Sequence, residues 1–235
     1  MSKIKENLAE VEKKICAAAE RAGRSRDEIT LIAVTKTRTV EEINEAIECG
    51  IINIGENKPQ EVRDKFADVN TSAKWHMIGH LQTNKIKYII DRVCMIHSVD
   101  SIKLMDEIDR HAAKHNIVMD ILIQVNISGE ETKQGCAPEE LENILVHAGK
   151  LNNIRVKGLM TIAPKIDNNV TNSLHFDNIH KLFVDISQKT YDNVTMECLS
   201  MGMSGDYETA IECGATMVRV GTAIFGERDY SKALK

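Results

Sequence analysis

The sequence predicts an α/β protein built as one (β/α)8 barrel of the TIM type, with an additional N-terminal helix. Three observations carry the prediction. Strand-like and helix-like segments alternate almost without a break, and eight such alternations fit into the chain. Its 235 residues are close to the roughly 250 that a barrel of this kind uses as one unit. No GxGxxG follows the first strand, which argues against an open dinucleotide-binding sheet. There is no low-complexity segment and no linker, so residues 1–235 are expected to form a single domain.

The elements follow in order. Ile4, Leu8, Val11 and Ile15 mark one face of an opening helix that Gly23 ends. Leu31-Ile32-Ala33-Val34 is a continuous aliphatic run, as expected of a strand covered on both faces, and it leads straight into Thr35-Lys36. Thr39 and Glu42 have capping-box spacing, which starts a helix from about Val40 to Cys49. Ile51 to Ile54 is the second strand, opening into Gly55-Glu56-Asn57, and Pro59 suits the first turn of a helix through Phe66. Trp75 to Ile78 is the third strand, followed by a helix from Gln82 to Ile90. Cys94 to Val99 is the fourth, with Asp100 capping a helix to Lys114. Met119 to Ile127 is the fifth, and Pro138 starts the helix after it. Val156 to Ile162 is the sixth, with a helix from about Asn172 to Lys189. Thr195 to Ser200 is the seventh, Ser204 caps a short helix to Cys213, and Met217 to Val220 is the eighth. Ala46-Ile47-Glu48-Cys49-Gly50 recurs as Ala210-Ile211-Glu212-Cys213-Gly214, closing a helix and entering a strand both times.

Composition narrows the function classes. An apolar content of 43%, a net charge of -5 and a pI near 5.9 give no electrostatic reason to expect nucleic acid or an anionic membrane as partner. The six cysteines form no CxxC pair, as expected of reduced thiols. With no signal-peptide apolar core and no bilayer-length apolar run, a cytoplasmic location is expected.

Two regions carry chemistry. Lys36 stands where a buried strand ends and a helix is about to begin, the edge on which α/β folds build their sites. The segments Leu199 to Asp206 and Arg219 to Gly226 follow strands seven and eight, the usual phosphate site of a barrel. There Ser200, Gly221 and Thr222 are candidate phosphate ligands, since glycine lets backbone approach an anion and hydroxyls donate to it. A strand-end lysine facing a phosphate cradle is what covalent attachment of pyridoxal phosphate requires. In a closed barrel Arg219 neighbours the first strand and could meet the pyridine nitrogen, keeping it unprotonated; an ion pair with a nearby carboxylate is the other reading. His76 and His80 lack further ligands at metal-binding spacing and are read as hydrogen-bonded groups near the pocket, with no metal expected.

Several segments together resemble the pyridoxal phosphate homeostasis protein family, related in fold to the barrel of alanine racemase. They are Ala33 to Lys36, Gly55-Glu56-Asn57, Trp75 to Lys85, Gly158 to Thr161, Leu199 to Ser204 and Arg219 to Gly226. The resemblance covers nearly the whole chain. It implies Lys36 as the aldimine lysine of pyridoxal 5'-phosphate, Arg219 as partner of the ring nitrogen, Ser200, Gly221 and Thr222 as phosphate ligands, and Asn57 lining the cofactor. Many relatives carry a proline shortly after the lysine, where this chain has Thr37-Arg38-Thr39, a difference in helix entry only. The implied function is a non-enzymatic cofactor carrier in vitamin B6 homeostasis, with apo enzymes that use the cofactor as acceptors. The alternative is a small racemase or lyase. Racemisation needs acid/base groups on both faces of the α-carbon, and none of Tyr88, Tyr191, Tyr207 or Tyr230 is obviously placed over Lys36.

Overall fold

In the computed structural model, which describes residues 2–130, 133–164 and 169–227, eight parallel strands close into a barrel in chain order. The strands are β1 (Thr30–Val34), β2 (Asn53–Glu56), β3 (Lys74–Met77), β4 (Val93–Val99), β5 (Met119–Gln124), β6 (Ile154–Met160), β7 (Val194–Ser200) and β8 (Met217–Val220). The helices are α1 (Lys3–Arg21), α2 (Val40–Glu48), α3 (Pro59–Lys65), α4 (Ile102–Lys114), α5 (Leu141–Ala148), α6 (Asn169–Ser187), α7 (Tyr207–Glu212) and α8 (Thr222–Phe225). Closure pairs β1 with β8, setting Ile32 beside Arg219. Tyr230 lies outside the described residues.

Strand alternation sorts the side chains into two layers. Ile32, Met95, Leu122, Met160 and Met217 pack inside the barrel. Leu31, Ala33, Ile54, Trp75, Met77 and Ile96 point outward, into the larger core shared with the helices. β1 is therefore apolar on both faces, which is why Leu31 to Val34 reads as a continuous run. At Gly158 (φ 146) a Cβ would stand 1.9 Å from the Cys198 carbonyl oxygen, so β6 needs a residue without one to lie against β7.

Where the sequence and the fold differ, the reasons are local. The segment expected as a helix from Gln82 to Ile90 winds only as a 3-10 helix over Thr83–Tyr88. Ser101, rather than Asp100, caps α4, its Oγ accepting the Leu104 N–H at 3.4 Å. Pro138 opens a single 3-10 turn before α5. Ser204 does not cap α7, which begins after Asp206; its Oγ turns instead toward the segment after β8. Among the described residues no helix is long and apolar enough to cross a membrane.

Candidate functional site

β1 delivers Lys36. Four aliphatic residues hold the strand between the two apolar layers, and the chain leaves it in the turn Thr35-Lys36-Thr37. Lys36 is half-buried and reaches a cavity of about 310 Å³ at the carboxyl ends of the strands. That volume is at the lower end of the roughly 300–1,000 Å³ of small-molecule sites. Two cations, Lys36 and Arg219, line it, with the hydroxyls of Ser204 and Thr222, the Asn57 amide and the backbone of Gly205 and Gly221. Val34, Ile78, Ile162 and Met203 supply apolar wall. Among the described residues no carboxylate lines it. Larger depressions of about 510 and 500 Å³ border it, the first sharing Ser204 and Gly205 with it and the second Asn57. The first is rich in carboxylates, including Glu10, Glu208 and Glu212, and the second holds His80, Lys58 and Lys85.

The cavity thus gathers Lys36, Asn57, Arg219, Gly221 and Thr222, all singled out from sequence. Ser200 is placed differently. Its side chain is fully buried below the cavity, where its Oγ accepts from Arg219 Nη1 at 2.6 Å and lies 3.1 Å from His97 Nδ1. The serine hydroxyl on the cavity wall is that of Ser204, whose Oγ accepts the N–H of Gly221 at 3.0 Å and of Ala223 at 3.4 Å. The strand period explains the difference: as the last residue of β7, Ser200 points into the barrel, whereas Ser204 sits on the loop beyond.

Arg219 is 4% exposed. Its Nη2 also donates to the Thr161 carbonyl at 2.9 Å, so neutral acceptors orient it rather than a carboxylate in contact. Burial pushes its guanidinium down to about 10, only partly opposed by the field of Asp206, so it stays charged at neutral pH. Below Ser200 the polar contacts continue through the barrel. His97 Nε2 lies 3.0 Å from His76 Nδ1, and His76 Nε2 lies 3.1 Å from Asn53 Oδ1. One donor order satisfies every member: Arg219 to Ser200, Ser200 to His97, His97 to His76, His76 to Asn53. Sequence reasoning missed His97 altogether; its inward register beside Met95 was the available signal.

That order requires both imidazoles to be neutral. Burial pushes His76 down to about 4 and His97 well below its ordinary value, with neighbouring positive charge adding to both. The unfolded chain binds protons on these groups near pH 6.5 and the folded chain does not. Their stability contribution is therefore complete above pH 6.5 and falls as pH drops toward 4. For His76 the loss between pH 7 and pH 5 is expected to be about 2 kcal/mol. Urea unfolding of wild type and His76→Gln checks this: the variant should show the shallower dependence over that range, and parallel curves would contradict it.

The turn that carries Lys36 is held from α3. Thr37 has φ 64, a left-handed conformation that costs a β-branched residue about 1–3 kcal/mol. Its N–H donates to Glu61 Oε2 at 2.7 Å. Lys65 Nζ donates to the Thr35 carbonyl at 3.1 Å, to Glu61 Oε2 at 2.8 Å and to Glu56 Oε1 at 2.9 Å. Glu56, on the outward face of β2, is fully buried and also accepts the Thr35 hydroxyl at 2.8 Å. Burial pushes its carboxyl up to about 7 against the pull of Lys65. Burial acts the same way on Glu61, but Lys65 and the Thr37 N–H outweigh it and hold that carboxyl below its ordinary range. Glu61 and Lys65 are spaced i, i+4 on α3, the one trace of this cluster in the sequence.

The whole chain has recognisable likenesses. A family model described as alanine racemase, N-terminal domain, matches residues 4–229. The pyridoxal phosphate homeostasis protein of Aquifex aeolicus (strain VF5) is 45% identical over 226 residues, 96% of this chain and 98% of that one. The protein of the same name from Escherichia coli (strain K12) is 39% identical over 236 residues, 99% of this chain and 100% of that one. The structure of PipY from Synechococcus elongatus PCC7942 with PLP bound matches at a TM-score of 0.83 and 30% identity, over 95% of this chain and 100% of that one.

Proposed function

The chain belongs to the pyridoxal phosphate homeostasis protein family, and from that membership and the cavity's geometry we propose that it binds pyridoxal 5'-phosphate, with Lys36 as covalent anchor, and hands it on. In this reading residues 1–235 act as one cofactor-binding domain, in the cytoplasm, with neither nucleic acid nor membrane as partner.

The donor set fits the cofactor. A dianionic phosphate and a heteroaromatic ring want donors and apolar wall, and the lining offers two cations, hydroxyls, N–H groups and aliphatic side chains with no opposing carboxylate among the described residues. When bound, the cofactor supplies an aldehyde that condenses with amines and a ring that can draw electrons. Lys36, half-buried beside Val34, is placed to hold the aldehyde. The hydroxyls of Ser204 and Thr222 would hold the phosphate, beside a Gly221 backbone whose N–H is given to Ser204 Oγ. Arg219, fixed by Ser200 and Thr161, is placed to donate to the ring nitrogen and so keep a proton off it. Asn57 lines the remaining edge.

One observation favours a carrier over a racemase or lyase. Apart from Lys36 the cavity lining contains no Tyr, His, Cys, Asp or Glu among the described residues, and the guanidinium of Arg219 remains protonated. Among the described residues there is no second group to return a proton to the opposite face of an α-carbon. Tyr207 borders the carboxylate-rich depression instead, and Tyr191 donates to Glu142 at 3.2 Å. The test offers the loaded protein as sole cofactor source to an apo enzyme that needs it, and separately incubates it with each L-amino acid. Activation of the acceptor, with amino-acid turnover far below the roughly 1–1,000 per second of enzymes, is the expected result. Brisk turnover of any one amino acid would make this protein an enzyme.

A further inference from the structure

Lys36 meets its ligand only as well as its turn is held, and the hold comes from residues outside the cavity. Neither Glu61 nor Lys65 lines it. Yet Glu61 takes the N–H on one side of Lys36, and Lys65 gives to the carbonyl on the other. Behind them is an incompletely satisfied carboxylate: Glu56 is fully buried, its Oε1 takes both Lys65 and Thr35, and its Oε2 has no hydrogen-bond partner. Lys65 thereby joins α3, β2 and the β1 turn through one ammonium group. The conformation so held, a threonine at φ 64, is one that Thr37 would leave if its acceptor were removed.

We propose that Glu61 and Lys65 are positioning residues that lock the Thr35-Lys36-Thr37 turn and thereby set how long Lys36 keeps its covalent partner. The proposal rests on the cofactor reading above. Attachment forms a carbon–nitrogen double bond between Lys36 Nζ and the aldehyde carbon and expels one water; release takes one water back and restores aldehyde and amine. Attachment, and recapture after each hydrolysis, need the free amine held in line with that carbon, which is a matter of turn geometry rather than of the phosphate cradle, whereas hydrolysis starts with carbon and nitrogen already joined. Loosening the turn should therefore hasten release without altering how the cavity holds the rest of the ligand.

The experiment compares wild type with Glu61→Ala, which removes the acceptor of Thr37, and Glu61→Gln, whose amide oxygen can still accept that N–H. Three quantities are read: Thr37 amide exchange by NMR in the apo-protein, the release rate of pyridoxal 5'-phosphate, and the affinity for pyridoxine 5'-phosphate, an alcohol that cannot bond to Lys36. Glu61→Ala should speed both amide exchange and release at least tenfold, leave the alcohol's affinity within twofold, and be reversed largely by Glu61→Gln. Lys65→Met should act in the same direction and serves if Glu61→Ala fails to fold. Unchanged exchange and release would overturn the lock while leaving the cofactor reading intact. Equal weakening of aldehyde and alcohol would reduce α3 to ordinary support and also overturn it. A wild-type protein that takes up neither compound would overturn the cofactor reading, and the lock with it.

Discussion

Lys36→Ala is expected to yield a folded protein that no longer fixes pyridoxal 5'-phosphate. Wild type mixed with the cofactor should absorb in the visible, lose that band on borohydride reduction, and carry the added mass on Lys36 alone. The alanine variant should show no reducible band and no added mass, because among the described residues no other amine lines the cavity. Arg219 is no substitute, since its guanidinium is charged and committed to Ser200 and Thr161. Lys36 is only half-buried, so the fold should lose little, within about 1 kcal/mol by urea unfolding. Lys36→Arg separates charge from bonding: it keeps a cation at the cavity wall, so some affinity should return while the reducible band does not. A fixed adduct that persists in Lys36→Ala would move the anchor to another lysine.

Lys36 was legible because several local signals coincide at it: a doubly buried strand, its end, and a capping box three residues on. Arg219 was legible through barrel closure, which makes the last strand a neighbour of the first, and Gly221 and Thr222 through their place in the loop after that strand. The polar interior was not. His76 and His97 stand 21 residues apart on adjacent strands, and only the barrel register brings their rings within 3.0 Å. The α3 cluster was hidden for a related reason. Glu56 and Lys65 look like ordinary solvated charges in a sequence, and their burial depends on how a helix seats on the strands. The helix expected from Gln82 failed because apolar spacing alone does not separate a 3-10 helix from an α-helix. Ser200 and Ser204 are the finest case. Four residues apart, Ser200 read as the phosphate donor and Ser204 as a helix cap, and only the end of β7 determines which one faces the barrel interior.

That last distinction sets the second large expected effect. If Ser204 and Thr222 hold the phosphate, replacing both by alanine should cost about 3–6 kcal/mol of binding, at about 1.5–3 kcal/mol for each charge-assisted hydrogen bond. That corresponds to an affinity loss of roughly a hundredfold to ten-thousandfold. The lower end is the better expectation. Ser204 Oγ now takes the N–H groups of Gly221 and Ala223, and an alanine there would release both toward the phosphate, recovering part of what the hydroxyl gave. Comparison with unphosphorylated pyridoxal isolates the anion site: the double variant should lose most of its preference for the phosphorylated aldehyde and keep its adduct on Lys36. Ser200→Ala provides the contrast. It removes the acceptor of Arg219 Nη1 and the neighbour of His97 Nδ1 in a buried place, so it should lower stability by about 1–3 kcal/mol and leave the phosphate preference nearly unchanged. Should Ser200→Ala abolish that preference while the double variant retains it, the phosphate would lie deeper in the barrel, against Arg219, and the ring would have to turn end for end.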